Sequence, residues 1–411
     1  MGDSENRPRI RAVEAIATVH EGKDVVVLRD PEGFATRPIL LSERAAFLVA
    51  HMDGGHTLLD LQAAYTRRFG DILFAHDLEA LVRTLDEASL LDGETFRARR
   101  EDALRAYREA DVRPQAHLSS YEADPETWGR WIDGFFDSAG EPETPPPVLP
   151  LRGLVVPHID LRLGGPVYAS GWKIAREDPP PSLVVVLGTC HAPLASLVAA
   201  TTKDFDTPLG VVPADSEFLR SLDRTVGGLF DDELAHRSEH TIEFQALFVR
   251  ALFPGADTKI APILCGYSHL HFGPGAPPEA RARIEAFDRA LASAIAGRSD
   301  VLLVASADLS HVGPRYGDSA PPTAAERSVL EASDRALIES VVACDPNALT
   351  SRMRSTGDRT RVCGFAPIRS VLAALGGGTG TLLRYDQGTM GDDGSIVSYA
   401  SIALSATEPR A

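Results

Sequence analysis

Several histidines in this sequence come directly after apolar runs, the position at which a buried strand delivers side chains to a site. The apolar run 154–156 is followed by His158, and the run 183–187 is followed by His191. The run 301–304 is followed by Asp308 and His311. Such runs, and a further one at 260–264, predict strands buried in an α/β sheet. Because sites in open α/β sheets form beyond the carboxyl ends of the strands, we expect these side chains to converge on one crevice.

Two further segments carry candidate groups at predicted helix starts. In SEHTIEFQ, Glu239 and His240 stand in a first turn, where a carboxylate interacts favourably with the helix dipole. Cys363 precedes the apolar helical run 367–375, and a thiolate that faces a helix N-terminus has a lowered pKa. We therefore predict a lowered pKa for Cys363. The other cysteines lack this setting, and we expect them to be inert thiols: Cys190, Cys265 and Cys344.

The grouping of these residues, rather than any one of them, predicts a metal site. Imidazole and thiolate ligands together suit iron, copper or zinc rather than magnesium or calcium. Three protein ligands would leave positions open for water or substrate, as catalytic sites require. The remaining histidines lack strand-end placement, and we expect surface or local roles for them: His20, His51, His76, His236, His269 and His271.

Composition limits the class of protein. The 411 residues are 44% hydrophobic and 24% charged, and their number favours two domains. The formal net charge of −17 argues against nucleic acid and against an anionic membrane surface. No apolar run approaches the roughly 20 residues that span a bilayer. The polar beginning MGDSENRPRIR lacks an apolar signal core, so we expect a cytoplasmic protein.

The first hundred residues predict a small winged-helix-like domain, 1–100. A β-branched run at 25–28 is closed by the turn-like residues 30–33. Three helices follow: one capped by Ser42, one opened by Thr57, and one with apolar residues at helical spacing over 78–85.

The rest of the chain divides into a connector and a larger α/β domain. Residues 97–113 are highly charged and predict a helix, within which 101–111 forms the connector. The prolines of Glu141–Pro150 predict an extended spacer, 141–150, after an amphipathic helix with aromatic residues at 128–136. We place the second domain at 112–411.

The first domain resembles the PqqD-like, or RiPP-recognition-element, domains. The resemblance rests on the order DPEGF, ILLSERAAFLVAHMDGGHTLLDLQAAYTRRFG and LEALVRTLDEASLL. It implies a module that binds a peptide or a partner enzyme by strand addition rather than DNA. A generic small helical domain is the alternative.

The second domain resembles the Memo family, whose bacterial members are called AmmeMemoRadiSam system protein B. Six segments carry the resemblance in order: LVVPHIDLRLGGPVYASGW, VVVLGTCHAP, SEHTIEFQ, VASADLSHVGPRYG, RVCGFAPI and LLRYDQG with SIVSYAS. HLSSYEADPETWGRWIDGFF looks like a divergent form of the family's opening. The implied fold is a class III extradiol dioxygenase-like α/β domain with a mixed sheet, preceded here by the winged-helix-like domain.

The resemblance also implies roles for individual residues. It places the metal ligands at His158, His191 and Cys363. It places further site residues at Asp308, His311 and His240. In the dioxygenases the third ligand is a glutamate, so the cysteine is a substitution.

The sequence departs from the family pattern beside two of these ligands. Asp160 follows His158 where the family has no carboxylate, and Cys190 precedes His191 where the family has serine. Ala192 replaces a frequent second histidine. Asp160 and Cys190 could alter the surroundings of the metal or compete for it.

Two functions of different class follow. The first is a redox metalloenzyme that holds Fe(II), or else copper, with zinc as the third choice. In it His311 and His240 act as acid or base, and Asp308 orients one of these imidazoles. The second is a non-catalytic scaffold or metal carrier that recruits a peptide, or radical-SAM and AMMECR-type partners, through residues 1–100. A hydrolase has less support, because no G-x-S-x-G elbow frames Ser306 or Ser310 and no phosphate-binding loop is present.

Overall fold

The structure, a computed structural model, describes residues 6–20, 22–30, 32–35, 37–121, 124–144, 150–255 and 257–405. The chain forms two compact units. One comprises residues 1–109 with Pro314–Tyr316, and the other comprises the remainder of 110–411. The boundary predicted at residue 100 falls inside a helix that runs over Glu94–Glu109.

The first unit combines a small antiparallel sheet with helices. The strands are β1 (Glu14–His20), β2 (Lys23–Arg29) and β3 (Ile39–Leu41), in the order β1-β2-β3. The helices are α1 (Glu43–Ala50), α2 (Leu58–Phe69), α3 (Ala75–Glu87) and α4 (Glu94–Glu109). Only β2 was expected, because β1 mixes apolar and polar residues and β3 is only three residues long. Pro31, in the predicted turn, lies outside the described residues.

Both helix starts predicted in this unit are confirmed. The Ser42 side chain accepts a hydrogen bond from the backbone N–H of Ala45. Thr57 and Asp60 form a reciprocal capping box at the start of α2. The apolar faces of α1 to α3 pack into one core, with Leu61, Leu85 and similar residues fully buried.

The second unit is built on a mixed sheet, as the α/β prediction requires. Its strands are β4 (Val112–Arg113), β5 (Gly153–Val156), β6 (Leu183–Thr189), β7 (Val198–Ala200), β8 (Asp204–Phe205), β9 (Lys259–Cys265), β10 (Val301–Ser306), β11 (Asp308–Val312), β12 (Thr379–Met390) and β13 (Ser395–Ser405). Among the described residues, eight of them form a sheet with the order β11-β13-β5-β10-β6-β9-β7, with β12 beside β13. The four strands predicted from apolar runs are confirmed as β5, β6, β9 and β10. These four pair in parallel.

One strand end differs from the prediction. Asp308 and His311 follow β10 as expected, but they lie on a strand that was not predicted, because after Ala307 the chain continues as β11. There it pairs antiparallel with β13. The pairing with β13 supplies hydrogen bonds that a loop would lack.

Helices cover the sheet of the second unit. They are α5 (Pro125–Ser138), α6 (Leu161–Glu177), α7 (Ser216–Val226), α8 (His240–Leu252), α9 (Pro278–Ile295), α10 (Ala324–Val342), α11 (Pro346–Thr356) and α12 (Phe365–Leu375). Both α8 and α12 pack against β6 and β10, which lie in the middle of the sheet. Residues 145–149 of the predicted proline spacer lie outside the described residues. No described helix combines the length and apolar composition needed to cross a bilayer.

A buried ion pair ties the start of the second unit to α8. The Arg113 and Glu243 side chains are both fully buried and lie 2.6 Å apart. Arg113 also donates to the carbonyl oxygens of His236 and Glu239. The carboxylate of Glu243 accepts further bonds from the 116–121 segment. Although burial opposes its charge, Arg113 and His117 lower the pKa of Glu243 to about 2.

We predict that Arg113→Met lowers the free energy of unfolding by about 3–5 kcal/mol, because it leaves a buried carboxylate without its cation. The double variant Arg113→Met/Glu243→Leu should recover part of that loss. Urea unfolding at pH 7 measures both.

The same pair predicts a pH dependence. A carboxyl with a lowered folded pKa stabilises fully above its unfolded pKa of about 4.3 and loses this contribution as the pH falls towards its folded pKa. The difference between wild type and Arg113→Met should therefore shrink below about pH 4. A difference that stays constant below about pH 4, or a double variant as unstable as the single, would contradict this account.

Candidate metal centre

His158 lies just beyond β5, and a backbone acceptor fixes its tautomer. Its Nδ1 lies 3.0 Å from the carbonyl oxygen of Ser306, at the end of β10. A carbonyl can only accept, so Nδ1 carries the proton and Nε2 keeps the lone pair. That Nε2 lies 3.3 Å from Sγ of Cys363. Burial and the neighbouring His191 lower the pKa of His158 well below its usual value, so the ring is neutral.

The buried carboxylate of Asp308 fixes the chain that carries this ligand. Its Oδ1 accepts the backbone N–H of His158 at 2.9 Å and that of Ile159 at 3.3 Å. Its Oδ2 lies 3.6 Å from Nε2 of His158. Burial raises the pKa of Asp308. We expected Asp308 to orient the imidazole of His311 or His240, and these contacts show it holding the backbone of His158.

Glu239 caps the N-terminus of α8 and holds two imidazoles at once. As a cap it accepts the backbone N–H groups of His240 at 2.9 Å and Thr241 at 3.3 Å. It also accepts the backbone N–H of His191 at 2.8 Å. Its Oε1 lies 3.1 Å from Nδ1 of both His191 and His240. The two rings stack 4.9 Å apart, and because Nδ1 donates, the lone pair of each ring in its neutral form is on Nε2.

Cys363 is held from two sides. Its carbonyl oxygen accepts from Oγ1 of Thr189 at 3.2 Å, and the next N–H, that of Gly364, donates to the carbonyl of Asp308 at 3.0 Å. The predicted helix α12 begins at Phe365, just behind the thiol. The predicted lowering of its pKa is wrong, because burial raises the pKa of Cys363 and outweighs the opposing effect of His191.

The side chains of the three predicted metal ligands lie close together. One ligand atom from each of His158, His191 and Cys363 lies within 4.8 Å of the other two. Two ligands on one metal ion, nitrogen at about 2.1 Å and sulfur at about 2.3 Å, are about 3.3–3.6 Å apart. The Nε2–Sγ separation of 3.3 Å between His158 and Cys363 fits that spacing. A second overlapping group consists of His191, Glu239 and His240.

His311 lies at the back of the centre and joins β11 to the segment that leads to Cys363. Its Nδ1 lies 3.0 Å from the carbonyl of Leu309 and 3.1 Å from that of Arg361. Arg361 in turn donates from Nε to the His311 carbonyl at 2.9 Å. Burial lowers the pKa of His311 to about 4, so its imidazole is neutral at pH 7. It belongs to neither ligand group of the described residues.

Asp160 and Cys190, two residues at which the sequence departs from the family pattern, lie outside the group of predicted ligands. Asp160 caps α6 and accepts from the backbone N–H of Arg162 at 2.9 Å. Burial raises the pKa of Cys190, which keeps it a thiol. Neither belongs to a ligand group of the described residues. Of the histidines expected to have surface or local roles, His236 and His269 are buried.

Comparison with known proteins shows the family of this chain. The family model described as Memo-like protein matches residues 113–403. The chain belongs to the Memo family. A MEMO1 family protein of Aquifex aeolicus is 28% identical over 390 residues, covering 93% of this chain and 96% of the relative. Relatives from Methanopyrus kandleri and Thermus thermophilus are each 30% identical, and cover 69% and 80% of this chain and 95% and 94% of their own length.

The comparisons also bear on the first unit. The alignment to the Aquifex aeolicus Memo family relative covers 93% of this chain, so it includes most of residues 1–109. The resemblance of the unit to PqqD-like domains stays a prediction.

Sequence reasoning missed two contributors to the Memo centre. Glu239 was noticed only for the helix dipole, and His117 only as part of a divergent opening. The segment EHTIE contained a signal for a pair of carboxylates. Its two glutamates, Glu239 and Glu243, are one helical turn apart and so lie on the same face of the helix. Glu243 accepts from the backbone N–H of His117 at 3.1 Å.

The close approach of Gly364 to β11 yields a prediction. A Cβ at this position would lie 2.6 Å from Cβ of Ala307 and would also collide with the Asp308 carbonyl. Gly364→Ala should therefore displace the Cys363 segment and lower the free energy of unfolding by about 1–3 kcal/mol. The matched control is Gly134→Ala on α5, where a Cβ meets nothing within 4 Å. Urea unfolding of the two variants should separate them, and equal midpoints would refute the close approach.

Proposed function

We propose that this Memo family chain binds one redox-active metal ion through His158, His191 and Cys363 and works as a metal-dependent oxidoreductase. Iron(II) is the first choice of metal, copper the second and zinc the third. The observation that carries the proposal is the meeting of three donor atoms within 4.8 Å of one another. Two imidazoles and a thiolate suit these metals rather than hard cations.

The surroundings of the donors support a resident metal. The Nδ1 of His158 lies on a backbone carbonyl, and that of His191 lies on a carboxylate. Such partners fix the tautomer and turn Nε2 towards a metal, the usual arrangement around metal-bound histidine. A metal bound here would supply a Lewis acid and a centre for electron transfer.

The chain's own residues would handle protons beside that metal. Burial lowers the pKa values of His240 and His311, so both are neutral at pH 7, the form that can accept a proton. The Nδ1 of His240 lies on Glu239, which would stabilise the imidazolium formed. Asp308 would keep the His158 backbone in place. In this proposal the chain acts within the AmmeMemoRadiSam system, beside radical-SAM and AMMECR-type proteins.

Metal content of protein purified without oxygen tests the ligand set. Wild type should carry close to one iron or copper per chain by elemental analysis. Cys363→Ala should lose most of it, because two neutral imidazoles without the thiolate hold these ions weakly. The matched control is Cys344→Ala, which removes another buried thiol of the same unit and should retain the metal.

A full metal content in Cys363→Ala would overturn the ligand assignment.

An oxygen-consumption screen with catechol-like substrates tests whether the wild-type protein turns over a substrate. Full metal content without turnover would favour a metal carrier over an oxidoreductase.

A second function is favoured by the sheet of the first unit. Among the described strands of that sheet, β1 pairs with β2 alone. It is a seven-residue edge strand with mostly exposed side chains, and Val19 is 65% exposed. Edge strands are the usual position at which a further strand is added to a sheet. We propose that residues 1–100 recruit a peptide or a radical-SAM partner at this edge.

Co-purification from cells that express both proteins tests this recruitment. Val19→Asp should reduce recovery of the radical-SAM protein at least severalfold, because a charge on an edge strand opposes strand addition. Leu59→Asp is the control, since it places the same charge at an exposed apolar position on α2 (73% exposed). Equal recovery with both variants would remove β1 from the role.

A further inference from the structure

A further pair of imidazoles, His117 and His240, lies beside the centre, where His240 stacks on His191. The side chain of each is 27% exposed. Their ring centroids lie 5.4 Å apart. His240 also stacks on the ligand His191, whereas His117 belongs to neither ligand group of the described residues.

His117 is held rigidly by the buried carboxylate of Glu243. Its backbone N–H donates to Oε1 at 3.1 Å, and its Nδ1 lies 3.0 Å from Oε2. Glu243 is kept ionised by Arg113, so it can only accept. The Nδ1 of His117 must therefore carry the proton, and the lone pair of the neutral ring is on Nε2.

His240 is held in the same way by Glu239, one helical turn before Glu243. Its backbone N–H and its Nδ1 both point to the Oε1 atom of Glu239, at 2.9 Å and 3.1 Å. The ring of Phe244 packs against both imidazoles, 5.2 Å from His240 and 6.0 Å from His117. Two carboxylate-oriented histidines thus stand side by side with little freedom to rotate.

The spacing of the two rings matches that of two imidazoles on one metal ion. With metal–nitrogen bonds of about 2.1 Å and near-tetrahedral angles, ring centroids lie about 5 Å apart. Imidazoles whose other nitrogen lies on a carboxylate are the usual form of metal-bound histidine. The set is nitrogen-only, which suits zinc and similar divalent ions, and two protein ligands leave the other positions to water.

We infer that His117 and His240 form a second, outer site for a divalent transition metal such as zinc, separate from the site at His158, His191 and Cys363. A metal there would occupy the Nε2 lone pair of His240. The outer metal and the proton-accepting role of His240 therefore exclude each other. The outer site does not depend on the proposed oxidoreductase activity.

Zinc titration of the full-length, metal-free chain by calorimetry tests the inference. Wild type should bind two equivalents in a tight and a weaker step. His117→Ala and His117→Gln should both lose the weaker step, with at least tenfold weaker binding, and keep the tight one. The glutamine variant retains a donor for Glu243, so it separates loss of the imidazole from local unfolding. His76→Ala, which removes an exposed histidine of the first unit, is the control and should bind as wild type.

The outcomes separate the two sites. Cys363→Ala should lose the tight step and keep the weaker one. A single equivalent in wild type, or two unchanged steps in both His117 variants, would overturn the outer site. Neither result contradicts the assignment of His158, His191 and Cys363 as ligands. That assignment is wrong only if Cys363→Ala keeps the tight binding step.

Discussion

The carboxylate of Glu239 is the group on which the candidate metal centre depends. It is buried, and a buried charge is tolerated only when its oxygens are saturated by donors. Here the donors are the first N–H groups of α8, the backbone of His191 and two imidazoles. Although burial favours the neutral forms, Glu239 and His191 stabilise each other's charges, so the pKa of Glu239 is well below and that of His191 well above the usual value. The carboxylate of Glu239 thus both caps the N-terminus of α8 and holds the predicted ligand His191 in place.

The same arrangement recurs at four histidines of the site. A buried carboxylate accepts a backbone N–H from the residue whose imidazole is to be positioned: Asp308 from His158, Glu239 from His191 and His240, and Glu243 from His117. A bond to the backbone leaves the imidazole itself available for chemistry while it restricts where the ring can lie. The sheet supplies the approximate positions, and the carboxylates refine them.

The sequence predicted what local pattern controls and missed what tertiary contacts control. Apolar runs identified β5, β6, β9 and β10, because burial on both faces demands such runs. Ser42 and Thr57 were recognised because helix caps need a specific side chain. The break between β10 and β11 was missed, since it depends on pairing with the distant β13. The pKa of Cys363 was predicted with the wrong sign, because the helix start is visible in sequence and the depth of burial is not.

Placement rather than acidity distinguishes Cys363 from Cys190. Burial raises the pKa of both thiols, so neither is a thiolate by itself at pH 7. A metal ion deprotonates a thiol that coordinates it, so an elevated pKa does not disqualify a ligand that is in position. Cys363 has its sulfur 3.3 Å from Nε2 of His158, whereas Cys190 lies outside both ligand groups of the described residues. The thiol one residue before His191 is therefore no competitor for the metal, although it replaces a serine of the family pattern.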